Sequence, residues 1–275
     1  MAWAALMAGS IFLAVAAVRF LWMGGLQPDA ESAVDLHAAA PAAAPHAAVP
    51  AAGHEAHRPG VVYLSPEVSE HHQQSPINIV TSRVVDREHR IEFHYRTSRE
   101  QVSNLGHTLQ VKYDPGSTLE YDGVVHELVQ FHFHTPSEHL LDGVTYPMEV
   151  HLVHRERGQP GRFVVIGVLF KEGKANPLVD TLVGDAPRAV GAVIYGDRPV
   201  DVGTILTPGM GYYHYSGSLT TPPYTETVRW MVLDRVLEAS AEQIEALNRI
   251  EGDNARHIQD PHSRPVEHTK GSPAH

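Results

Sequence analysis

Two short runs constrain this chain more than any other stretch: Gln130-Phe131-His132-Phe133-His134 and Glu149-Val150-His151-Leu152-Val153. Both alternate, and neither matches a helical period. In an extended strand successive side chains point to opposite faces, so His132 and His134 share one face while Phe131 and Phe133 share the other. The same rule puts Glu149, His151 and Val153 on one face of the second run. If the two runs are neighbouring strands of one sheet, three imidazoles converge on one point.

Three neutral imidazole nitrogens leave the fourth position of a tetrahedral ion open, the arrangement of a catalytic rather than a structural zinc site. Gln130 and Glu149 each precede a histidine by two residues on the same face. Each supplies an acceptor for the imidazole's other N–H, the outer partner that such ligands need. A lone His-x-His carries little weight in a chain with 20 histidines. Its pairing with a third histidine in a second apolar strand, each flanked by an acceptor, is the informative part.

Composition narrows the partners. The formal net charge is −11, with no block of Lys or Arg, so nucleic acid is excluded as a partner on electrostatic grounds. The 275 residues contain no cysteine, which removes both disulfides and thiolate ligands. Residues 1–26 hold an apolar run, from Ala2 to Val18 and on through Phe20, Leu21, Trp22 and Met23, interrupted by Arg19. That run suits an export signal or a membrane anchor, and the expected location is periplasmic or extracellular, at the inner membrane if the run is retained. Residues 27–59 are rich in Ala, Pro and His, with almost no large apolar side chains, and read as a flexible linker. A folded domain is expected over residues 60–260, followed by a polar, frayed tail over 261–275.

Within the domain short strands alternate with turn signals. Arg90 to Tyr95 and Thr108 to Tyr113 alternate, and Asp114-Pro115-Gly116 ends the second. Phe163 to Phe170 is almost wholly apolar, as a strand covered on both faces would be. Leu178 to Leu182 and Ala239 to Ile250 read as helices. The expected fold is mainly β (α+β): one domain on a large, twisted, mostly antiparallel sheet with a few short peripheral helices.

Four motifs occur in order: Gln73-Gln74-Ser75-Pro76-Ile77-Asn78-Ile79; Gln130 to His134 with Ser137-Glu138-His139; Glu149 to His154; and Tyr215-Ser216-Gly217-Ser218-Leu219-Thr220-Thr221-Pro222-Pro223. Together they resemble the α-class carbonic anhydrases, and their bacterial branch in particular, over about residues 74–259. The resemblance implies Zn²⁺ on His132, His134 and His151, with Gln130 and Glu149 as outer partners. It implies reversible hydration of CO₂ by attack of zinc-bound hydroxide. Thr220 would accept a hydrogen bond from that nucleophile and pass its own proton toward Glu138, while Thr221 would contact bicarbonate. Val153, Val165, Leu219 and Trp230 would wall the CO₂ pocket. His107 would be the proton shuttle, a role that suits a side chain titrating near neutrality. His139, His154 and Asn254-Ala255-Arg256 read as structural.

The chain departs from the family pattern at four points. The aromatic segment before Gln74 is shortened and lacks Trp, Leu105 replaces a polar residue beside His107, Tyr224 stands at a common disulfide position, and His257 replaces a Pro. The competing reading is a catalytically weak, carbonic-anhydrase-related binding module tethered at a membrane. Such modules lack a zinc ligand, whereas all three histidines are present here. A metallo-β-lactamase-like site would want an acidic ligand directly after the His pair, where Thr135-Pro136-Ser137 offers none. A zinc-buffering protein would instead use the histidines of the linker. A dimer is compatible with the sequence.

Overall fold

The computed structural model describes residues 72–206 and 209–271. The expected export segment and linker, residues 1–59, lie outside the described residues. Among the described residues no helix is long and apolar enough to cross a membrane.

Strands dominate, and the main ones form a single mixed sheet. In spatial order it runs Val193–Val200, Ser98–Asn104, Leu109–Lys112, Val124–His134, Met148–Glu156, Phe163–Glu172, Val228–Leu233, Tyr212–Gly217, Glu267–Thr269 and Val85–Asp86. Pairing is antiparallel throughout the first half, from Val193–Val200 to Phe163–Glu172. It turns parallel where Phe163–Glu172 meets Val228–Leu233 and where Glu267–Thr269 meets Val85–Asp86. The two histidine-bearing strands are neighbours in the middle of this order, with His151 directly opposite His132 and Glu149 opposite His134.

Period-two alternation sorts the side chains into two apolar layers. Phe131, Phe133, Val150, Leu152, Ile166 and Val168 face one layer, and all are fully buried. At roughly 1.5–3 kcal/mol for each fully buried side chain, this layer supplies much of the drive for the sheet to form. Val153, Val165, Tyr215 and Trp230 belong to the opposite layer, the one that carries the three histidines. Phe163–Glu172 is buried from Phe163 through Phe170, as its unbroken apolar run predicts.

The helices α1 (Pro177–Asp185) and α2 (Ala241–Glu251) contribute Leu178, Val179, Leu182 and Leu247 to the first layer and leave the histidine face clear. Helix α2 starts two residues later than the apolar spacing suggests. Ser240 caps it, with a reciprocal bond to Gln243, and Ala239 ends the short strand Leu237–Ala239 instead. A capping serine cannot sit inside the helix that it caps.

The polar tail expected from residue 261 is corrected by the structure. Glu267–Thr269 is a strand paired on both sides, so the domain runs well past residue 260. Its polar composition reflects ion pairing: Glu267 binds Arg87 and His89. Arg264 reaches the backbone carbonyls of Ser216 and Gln74 at 2.9 and 2.8 Å.

Candidate metal centre and active site

The three imidazoles meet as the strand geometry requires. His132, His134 and His151 are 5%, 3% and 1% exposed, and each offers a ring nitrogen within 4.8 Å of the others. Ring centroids lie 4.5 to 5.3 Å apart. The outer nitrogens of two rings are taken: Gln130 Oε1 lies 2.9 Å from His132 Nδ1, and Glu149 Oε1 lies 2.9 Å from His151 Nε2. Neither ring nitrogen of His134 makes a hydrogen bond, its Nδ1 being 3.6 Å from Glu138 Oε1. A buried polar atom without a partner costs about 1–3 kcal/mol. Three converging imidazoles, one of them orphaned, fit a metal ion.

Burial favours the neutral form of His134 and His151. It pushes His134 down to about 4 and lowers His151 as well, against the pull of Glu149. Neutral imidazole is the form that binds a metal. Glu149 behaves oppositely. Burial alone would raise its pKa, yet His139 and His151 hold the carboxyl well below the usual range. Its Oε2 accepts the backbone N–H groups of Glu138 and His139 at 2.9 and 2.8 Å, and His139 Nδ1 bonds Oε1 at 2.7 Å. His139 is engaged on its other side by the Tyr215 hydroxyl at 2.6 Å. It braces Glu149 rather than ligating, in keeping with its structural reading. His154 likewise bonds Tyr95 away from the site.

Glu138 is fully buried beside the triad, and burial raises its carboxyl to about 6 although His151, the Arg256 N–H and the Thr220 hydroxyl draw it down. Arg256 N–H donates to its Oε1 at 2.8 Å. Arg256 also reaches Ser75 O and Gln74 Oε1 and lies 3.8 Å over the Tyr224 ring. Asn254-Ala255-Arg256 therefore holds an acidic side chain of the site in place. Tyr224, at the position of the missing cysteine, supplies a cation–π contact instead.

Beside the histidines lies a small cleft lined by Gln130, His132, His151, Val153, Val165, Leu219, Thr220, Thr221 and Trp230. It leaves about 20 Å³ open to the centre of a water-sized molecule, room for roughly one. Every pocket residue expected from the sequence lines it, and the Trp230 indole is pinned by a bond from Nε1 to Ser218 O at 3.0 Å. His107 stands apart on the exposed turn between Ser98–Asn104 and Leu109–Lys112, close enough to affect His134 electrostatically.

One contributor is invisible to motif reading. Gly167 lies opposite His151, and a Cβ there would sit 2.8 Å from Glu149 Oε1. Only glycine lets that carboxylate lie across the strand. The glycine inside an apolar run was the available signal.

The comparisons with known proteins agree with this geometry. Residues 64–271 match the model of the eukaryotic-type carbonic anhydrases. The chain belongs to that family. It is 40% identical over 196 residues to a carbonic anhydrase of Neisseria gonorrhoeae, covering 70% of this chain and 76% of that one. It is 39% identical over 210 residues to one of Pectobacterium carotovorum, covering 74% and 84%. A hyperthermostable carbonic anhydrase from an active hydrothermal vent chimney superposes with a TM-score of 0.68 at 40% identity, covering 72% of this chain and 88% of that one. The large mixed sheet is the fold of this family, and the chain is a carbonic anhydrase in the enzyme sense, with CO₂ and bicarbonate as the substrates of its class.

Proposed function

We propose that the chain binds one Zn²⁺ through His132, His134 and His151 and catalyses the reversible hydration of CO₂ with His107 as proton relay. The observation that carries this reading is the convergence of three buried imidazoles beside a molecule-sized apolar cleft. When bound, zinc lowers the pKa of a water ligand from about 15.7 to about 7 and so supplies a strong nucleophile at neutral pH.

The chain's own residues do the rest. Gln130 and Glu149 fix the tautomers of His132 and His151, each holding the proton on the ring nitrogen that faces away from the ion. Arg256 N–H occupies Glu138 Oε1, which leaves Oε2 for the Thr220 hydroxyl proton. With its proton committed there, Thr220 offers a lone pair to the attacking oxygen and selects a nucleophile that still carries a proton. Val153, Val165, Leu219 and Trp230 receive CO₂, which has no charge to grip, while Thr221 meets the bicarbonate product. Each turnover leaves a proton to export, and His107, exposed and electrostatically coupled to His134, suits that task.

The apolar N-terminal run and the Ala/Pro-rich stretch support export, to the periplasm or the exterior, with the run as signal or anchor. Stopped-flow CO₂ hydration by the full-length, zinc-loaded chain tests the reading. Fast, buffer-dependent turnover that falls in His107→Ala and returns with added imidazole is expected. A chain that binds one zinc yet hydrates CO₂ no faster than buffer contradicts it.

A further inference from the structure

The turn that carries His107 hangs on a buried carboxyl that the proposed reaction does not use. Glu251, the last residue of α2, is 6% exposed. Its Oε1 accepts the Leu109 backbone N–H at 2.7 Å and lies 3.4 Å from the Thr108 hydroxyl. That hydroxyl also donates to Phe133 O at 2.9 Å. Glu251 Oε2 lies 3.5 Å from Asn254 Nδ2, which donates to His107 O at 2.8 Å and to Phe133 O at 3.1 Å. The backbone that leaves His107, its own carbonyl and the Leu109 N–H, is thus tied to one carboxyl–amide pair. The same pair grips the carbonyl between His132 and His134.

The turn itself is tight. Leu105 N–H bonds Thr108 O at 3.0 Å, and Gly106 has a φ of +91°, which favours glycine. A carboxyl is an expensive anchor here, because it is buried and sits at the negative end of the helix dipole. Burial pushes it up to about 8 even with three donors around it. An apolar residue would suit α2 better, so the group is explained by what it holds.

We infer that Glu251 is a positioning residue for His107, fixing the shuttle turn against the strand that carries His132 and His134. The inference rests on the reading of His107 as the proton relay. Proton export limits kcat at saturating CO₂, whereas the attack on CO₂ governs kcat/KM. A displaced relay therefore lowers the first and spares the second.

The test uses the full-length, zinc-loaded chain with Glu251→Ala, Glu251→Gln and His107→Ala, alone and combined. Glu251→Ala is expected to lower kcat about three- to tenfold, a small part of the 10²–10⁴ that positioned proton transfer supplies. It should leave kcat/KM nearly unchanged, and added imidazole should restore the loss. Glu251→Gln, which keeps an acceptor for Leu109 N–H, should retain most of the wild-type kcat. In the His107→Ala background Glu251→Ala should cost nothing more. If folded, zinc-bound Glu251→Ala keeps its kcat, or loses kcat and kcat/KM together without imidazole rescue, the inference is overturned. If Glu251→Ala fails to fold, Glu251→Asp, whose shorter side chain pulls the carboxyl back from Leu109 N–H, takes its place: a lower kcat with kcat/KM spared and rescue by imidazole supports the assignment, and an unchanged kcat or a joint loss of both without rescue rejects it. If His107→Ala itself costs nothing, the relay reading fails first and takes this inference with it.

Discussion

Replacing Glu251 by Gln should change how stability depends on pH more than any single substitution on the molecule's surface. The Glu251 carboxyl is held at about 8 by burial, against 4.5 for an ordinary glutamate. Because the folded pKa is raised, its contribution is fully present below about pH 4.5 and is lost as pH rises through 8. Between those limits the folded state holds a proton that the unfolded state has released, so stability falls by up to about 1.4 kcal/mol per pH unit. From pH 5.5 to pH 9 this amounts to about 3 kcal/mol. Glu251→Gln removes the titration but keeps the acceptor for Leu109 N–H. Urea unfolding of both proteins at pH 5.5, 7 and 9 reads the difference directly, since the many histidines titrate alike in each. The variant should match the wild type within about 1 kcal/mol at pH 5.5 and exceed it by a few kcal/mol at pH 9. Parallel curves would mean that Glu251 is not buried as a neutral acid, and the cost assigned to it would be wrong.

Other perturbations address the metal centre and the fold. Glu149→Gln should weaken zinc binding about 10- to 100-fold in a chelator competition, because the partner that orients His151 and is braced by His139 changes character. Gly167→Val drives a side chain into Glu149 Oε1 and should lose zinc affinity together with about 1–3 kcal/mol of stability, read by the same competition and by urea unfolding. Val165→Phe overfills a cleft with room for about one small molecule; kcat/KM for CO₂ should fall at least about tenfold while zinc content stays at one per chain. Truncation after Pro265 removes Glu267 from Arg87 and His89 and strips a strand from Tyr212–Gly217. It should lower the melting temperature and promote association through the exposed edge.

Much of the centre was legible because a period of two leaves no ambiguity about faces. His132 and His134 had to share one, and the acceptors two residues before His132 and His151 had to reach their rings. What period alone could not supply was register. His151 opposite His132 depends on a whole strand pairing, and that pairing slips between Val153 and His154. Close approaches were equally hidden. Gly167 reads as a glycine in an apolar strand, and its purpose appears only when Glu149 lies across it. The bracing of Glu149 by His139 and Tyr215 joins residues 76 positions apart, and local spacing says nothing about such a bond. Composition misled at the C-terminus, where Glu267–Thr269 is too short to show alternation and its charges are paired rather than solvated. The start of α2 was misplaced because Ala239 continues the apolar spacing while the capping box of Ser240 and Gln243 sets the boundary.

The most direct test of the central claim pairs zinc stoichiometry with CO₂ hydration in one preparation of the full-length chain and its His134→Ala variant. Neither ring nitrogen of His134 makes a hydrogen bond, so its loss removes a proposed ligand and leaves the bonds of Gln130 and Glu149 untouched. One zinc per chain with rapid hydration in the wild type, and loss of both in the variant, is the predicted result. Equal hydration by the two proteins, or hydration in a wild type stripped of zinc, would contradict the account.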